Sequence, residues 1–177
     1  MNLKYILDLG NIDHYAVVIY DIEKSCNFHV NFLGFSITKS YKIKTSMDSD
    51  KEDSLSIVLE KSVGNNKEMC VLNMPLNDKS FLNPYLKKYG EGIHHVAYSV
   101  KDIEAEFQKG LRNKIIFTTE NIIYDHRNSL KQVFIDKSYT GYFIELVQRE
   151  ENAIKEFSTS FSEDNIKELM IAAAKNL

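Results

Sequence analysis

Cysteine is scarce in this chain, and the two present, Cys26 and Cys70, have no CxxC spacing. Two such residues define neither a disulfide framework nor a structural zinc site, so they read as reduced core thiols. Positive charge is not in excess either: 22 Lys and Arg stand against 25 Asp and Glu, a net charge of -3. Nothing in that balance favours approach to a phosphate backbone, and nucleic acid is not an expected partner. No apolar run approaches the ~20 residues that a membrane helix needs. The opening MNLKYILDLGNIDHY also lacks the charged start, long apolar stretch and small-residue cleavage site of a signal peptide. These absences make a cytoplasmic location, no membrane partner and small-molecule ligands the expectation.

What is present is an ordinary globular composition, 44% hydrophobic and 27% charged over 177 residues, enough for one substantial core. A single domain spanning 1–177 is expected, and a repeat lies within it. Residues 12–23 read IDHYAVVIYDIE and residues 93–104 read IHHVAYSVKDIE, with half of the twelve positions identical. At this constant offset His14 pairs with His95, Ala16 with Ala97, and Asp21-Ile22-Glu23 with Asp102-Ile103-Glu104. Each copy opens with a nearly continuous apolar run suited to a buried strand. A helix follows, N-capped by Asp21 or Asp102 and ended by Gly34 or Gly110.

Three further strands are expected in each copy, at 35–43, 54–59 and 68–74 in the first and at 114–118, 130–135 and 142–147 in the second. The order is βαβββ, twice. Module one covers 12–74 and module two 91–149. Between them, 75–90 reads as a linker with a short helix that must tolerate Pro84. The tail, 150–177, carries an amphipathic helix over 162–175, with Ile166, Leu169, Met170 and Ala173 on one side.

Alternate side chains of a strand share a face, which places His14 with Ala16 and His95 with Ala97. His94, matching Asp13 in the repeat, is expected on the opposite face. Glu145 lies inside YFIELVQ, where an unpaired carboxylate is costly to bury. Singly, each has a bland reading: a lone strand histidine is more often a hydrogen-bonded core residue, and a buried glutamate can pair with lysine. Together they offer two repeat-related imidazoles and one anionic oxygen, the donor set that suits a divalent first-row metal with positions open for substrate.

Two βαβββ modules bearing His14, His95 and Glu145 resemble the vicinal oxygen chelate superfamily, over about residues 12–149. The resemblance implies an α+β fold in which the modules curl into a mixed half-barrel around one divalent metal held by those three residues. Two branches are similar. Methylmalonyl-CoA epimerases match at IDH, MPLND, GIHH and FIELVQ, but Val71 stands where they carry a ligand glutamine and Ser56 where they carry a proposed catalytic glutamate. The catalytic half of 4-hydroxyphenylpyruvate dioxygenase uses only the two histidines and the glutamate. Its resemblance implies that Ser56, Asn77 and Gln132 orient an α-keto acid, that Phe134, His94 and Ile166 line the substrate pocket, and that helix 162–175 is a lid.

The resemblance therefore implies, as the leading expectation, a non-haem Fe(II) dioxygenase acting on a small α-keto acid with O2. Co, Ni, Mn or Zn remain open as the metal, and a homodimer is expected. A redox-neutral epimerase or glyoxalase-like lyase is the alternative. A non-catalytic small-molecule-binding or resistance protein is the third, and the intact metal ligands count against it.

Overall fold

The computed structural model describes residues 7–46, 51–127 and 129–149, together with 165, 167 and 168. In module one, β1 (Ile12–Val18), α1 (Ile22–Asn31), β2 (Ser36–Ile43), β3 (Ser54–Val63) and β4 (Asn66–Pro75) follow in order; α2 (Leu82–Tyr89) forms the linker. Module two contains β5 (Gly92–Ser99), α3 (Ile103–Arg112), β6 (Ile123–Asp125), β7 (Leu130–Ile135) and β8 (Phe143–Arg149). The strands form one curled mixed sheet in the order β2-β3-β4-β1-β5-β8-β7-β6. The repeat is visible in the pairing: β1 runs parallel to β4, β5 runs parallel to β8, and the modules meet where β1 and β5 pair antiparallel.

Local chemistry accounts for most of the boundaries. The carboxylates of Asp21 and Asp102 accept hydrogen bonds from the backbone N–H of Lys24 and Ala105, each at 2.9 Å, and so start α1 and α3. A two-residue loop joins β3 to β4, with Gly64 at φ +59 in the left-handed region. Pro84 sits in the first turn of α2, where the missing N–H would have had no helical partner. Both outer helices pack on the sheet: α1 through Cys26 and Val30 on Leu59 and Leu72, and α3 through Ile103 and Phe107 on Val133 and Leu146.

Two expectations require correction. Gly110 does not end α3 but lies inside it, because a Cβ there would stand 2.5 Å from Cζ of Phe117. The terminator is Lys114 at φ +60, with Ile115 N–H donating to Gly110 O. A strand therefore cannot begin at 114, and the 114–118 segment contributes one bridge, Phe117 to Ile135; the outermost strand is instead β6. The helix expected at 162–175, with Ile166, falls outside the described residues except for 165, 167 and 168, which are helical. Among the described residues, no helix is long and apolar enough to cross a membrane.

Candidate metal centre

The three central strands β1, β5 and β8 are adjacent, and their register brings the expected ligands together. His14 faces Ala97, Ala97 faces Glu145, and His95 faces Ala16 across the module junction. Both alanines are fully buried. Their methyl groups leave room for larger side chains to converge above them. The Nε2 atoms of His14 and His95 lie 3.1 Å apart, and Oε2 of Glu145 is 3.2 Å from the first and 3.3 Å from the second.

Neighbouring groups hold these side chains. Gln132 Nε2, on β7, donates to Oε1 of Glu145. Nδ1 of His14 donates to Oδ1 of Asp13 at 2.8 Å, and Asp13 in turn accepts two hydrogen bonds from Arg149, from Nε and Nη2, each 2.8 Å. Burial pushes the Asp13 carboxyl up, but the bonds from Arg149 and His14 outweigh it and hold the group well below the usual carboxylate range. Burial likewise disfavours charge on His14, yet the Glu145 and Asp13 carboxylates raise its pKa to about 9. His95 is driven well below its ordinary value by burial, and His94 down to about 4 by burial and Lys137. Glu145 is lowered overall: burial raises it, and the His14 charge overcomes that.

Oε2 of Glu145 is buried and accepts no hydrogen bond. It points at two imidazole nitrogens and leaves a cluster of two nitrogen donors and one carboxylate oxygen, all within 4.8 Å of one another. Such a group of donors in a buried site needs a positive charge at its centre, a proton on His14 or a metal cation. The donor set fits a divalent first-row cation, with three protein ligands and open positions.

The other expected site residues divide. Phe134 is buried, its ring centroid 5.1 Å from that of His95. Gln132 is at the centre, but its amide nitrogen is committed to Glu145. Ser56 is fully buried on the module-one wall and donates to Oδ1 of Asn73 at 2.5 Å. Asn77 is not part of the cluster: it is exposed in the turn before α2, where its side chain bonds Lys79 N–H and the Glu52 carbonyl. Ile166 lies outside the described residues.

The opposite-face placement of His94 is also corrected. The β1–β5 register slips by one residue there, Ala16 facing His95 but Val17 facing Ile93, and this bulge brings His94 beside His95 with the two Nδ1 atoms 2.9 Å apart. Sequence reasoning missed Asp13, Asn73 and Arg149. Asp13 carried a signal, since it precedes His14 as His94 precedes His95; Asn73 and Arg149 lie in strand runs without one.

The model of the Glyoxalase/Bleomycin resistance protein/Dioxygenase superfamily matches residues 13–134. The chain belongs to this family. Human mitochondrial methylmalonyl-CoA epimerase is 26% identical over 144 residues, covering 81% of this chain and 76% of the human protein. Two solved structures are similar in fold. Methylmalonyl-CoA epimerase from Mycobacterium tuberculosis has a TM-score of 0.63 at 20% identity, covering 84% of this chain and 94% of its own. A variant of the Streptomyces coelicolor enzyme in complex with 2-nitronate-propionyl-CoA has a TM-score of 0.62 at 19% identity, covering 80% and 99%. These relatives are epimerases, and they lend no support to iron, O2 or an α-keto acid.

Proposed function

We propose that the chain is a divalent-metal enzyme of the redox-neutral kind, which moves a proton at the carbon next to the carbonyl of a small acyl-CoA thioester, as an epimerase does. The observation that carries this reading is Oε2 of Glu145 facing the Nε2 atoms of His14 and His95 in a buried cluster, in a family member whose relatives include methylmalonyl-CoA epimerases. A bound cation supplies Lewis acidity that stabilises the negative charge of an enolate oxygen. His14, His95 and Glu145 would hold it, and Gln132 fixes the carboxylate by occupying its other oxygen.

Val71, buried on β4 and facing Ala16, supplies no donor, so the cation would take three protein ligands and leave more positions for substrate. Ser56, paired with Asn73, replaces the carboxylate that the epimerase resemblance implies on this wall. A serine hydroxyl without a base beside it cannot withdraw the proton. Both oxygens of Glu145 are engaged, Oε1 by Gln132 and Oε2 by the cation it would hold, so Glu145 serves as a ligand, while Ser56 and Asn73 offer hydrogen bonds to the substrate. The dioxygenase reading rested on Ser56, Asn77 and Gln132 meeting around one ligand. It loses support because Asn77 is exposed and Gln132 is engaged by Glu145.

Proton transfer is tested by exchange. The chain is loaded anaerobically with Co(II), Ni(II) or Fe(II) and incubated in D2O with methylmalonyl-CoA and other branched acyl-CoA thioesters. Mass spectrometry is expected to show deuterium entering next to the thioester carbonyl, and Glu145→Gln is expected to lose this by 100-fold or more. Oxygen uptake coupled to an α-keto acid, with no exchange into any thioester, would overturn the proposal.

A further inference from the structure

β1 and β5 each carry one extra residue where they pair. Between Ile12 facing Tyr98 and His14 facing Ala97 the extra residue is Asp13; between Ala16 facing His95 and Val17 facing Ile93 it is His94. The two occupy the same place in the repeat, immediately ahead of a metal-ligand candidate. An inserted residue breaks the two-residue alternation, so its side chain is not forced away from that of its neighbour. The outcome is the same in both copies. Asp13 Oδ1 lies 2.8 Å from Nδ1 of His14, and Nδ1 of His94 lies 2.9 Å from Nδ1 of His95.

A neutral imidazole has one N–H and one lone pair, and a partner that takes the proton on Nδ1 leaves the lone pair on Nε2. In both histidines Nε2 is the atom that faces Glu145. Each partner is itself held. Arg149 grips Asp13 through two nitrogens, and the His94 ring packs against Tyr85 and Phe143 with centroids 4.9 and 5.1 Å away. We propose that Asp13 and His94 are paired positioning residues, each fixing the ring orientation and tautomer of the histidine that follows it so that both Nε2 atoms meet on one cation. This rests on the metal reading above.

The two supports differ in kind. An anion gripped by a guanidinium backs His14, and a neutral ring backs His95, so the two donors are unequal in basicity. Groups that orient metal-binding imidazoles in this way affect metal affinity by about 10- to 100-fold.

The test is titration of the full chain with Co(II), following heat and the visible absorption bands, beside melting of the metal-free proteins. Asp13→Ala and His94→Leu, which remove the acceptor for Nδ1, are expected to weaken binding about tenfold or more and to shift the Co(II) bands. His94→Gln, whose side-chain carbonyl can accept from Nδ1, is expected to recover most of the loss; a residue that serves packing alone would not produce that recovery. Arg149→Lys, which keeps the charge but loses the two-pronged grip, is expected to give a smaller loss and carries the same readout if Asp13→Ala does not fold. Wild-type affinity and unshifted bands in Asp13→Ala and His94→Leu overturn the inference, as does an equal loss in His94→Leu and His94→Gln. A wild-type chain that takes up no Co(II) overturns the metal reading together with it.

Discussion

Metal uptake at this centre is expected to expel a proton. In the metal-free protein burial lowers the His14 pKa, but the Glu145 and Asp13 carboxylates raise it from 6.5 to about 9. At pH 7 the ring is a cation, with one nitrogen turned to Asp13 and the other 3.2 Å from Oε2 of Glu145. A metal ion needs the Nε2 lone pair, so it competes with that proton. At pH 7, about two units below the pKa, roughly 1% of the rings are competent, which weakens apparent affinity about 100-fold, or ~2.7 kcal/mol. Affinity for Ni(II) is therefore expected to rise about tenfold per pH unit between about 6.5 and 8.5, with close to one proton released per metal. Calorimetry in two buffers of different ionisation enthalpy measures that release directly. The sign for the metal-free fold is opposite: the folded pKa of His14 lies above its ordinary value, so its contribution to stability is full below about 6.5 and is lost as the pH rises through about 9. Affinity that is flat with pH and accompanied by no proton release would refute the reasoning.

Two further predictions concern the scaffold. Gly110→Ala gains about 1 kcal/mol of helix propensity but places a Cβ 2.5 Å from Cζ and 2.7 Å from Cε2 of Phe117, an overpacking cost of about 1–3 kcal/mol. Thermal melting is expected to show a net loss of about 1 kcal/mol that reverses to a gain in a Phe117→Ala background; a loss independent of Phe117 would contradict the steric account. Asp53 is fully buried and accepts from the backbone N–H of Thr45 and Ser46 and the hydroxyl of Ser54. Asp53→Ala strands those donors and is expected to cost about 3 kcal/mol in urea unfolding at pH 7. Burial raises this carboxyl, the Thr45 and Ser46 donors lower it overall from 3.8, and the advantage of the wild type is therefore expected to shrink as the pH falls below that value.

The fold class could be read from the sequence because the repeat compares the chain with itself. A βαβββ order at one offset leaves little choice of which strands are central, and the caps at Asp21 and Asp102 are properties of single residues. The convergence of His14, His95 and Glu145 was accessible for the same reason: the two histidines are repeat-related, and the carboxylate interrupts an apolar strand. What failed depended on contacts between segments. Gly110 looks like a helix end until Phe117 is seen lying against its α-carbon. Asn77 matched a pocket residue by its place in MPLND, but its side chain is satisfied by the turn around it.

The placement of His94 shows where strand periodicity ceases to be a guide. Alternation assumes that every residue has one partner across the ladder, whereas a bulge is decided by the partner strand and is invisible in the strand that carries it. Here the slip at His94 arises from pairing with Ala16 and Val17, far away along the chain in a different module. The repeat still held the missing information. If the residue before one ligand bulges to reach its ring, the equivalent residue in the other copy meets the same junction from the other side and is under the same geometric demand. Asp13 and His94 differ in chemistry but share a position, which ties them to the ligands that follow more strongly than either side chain does alone.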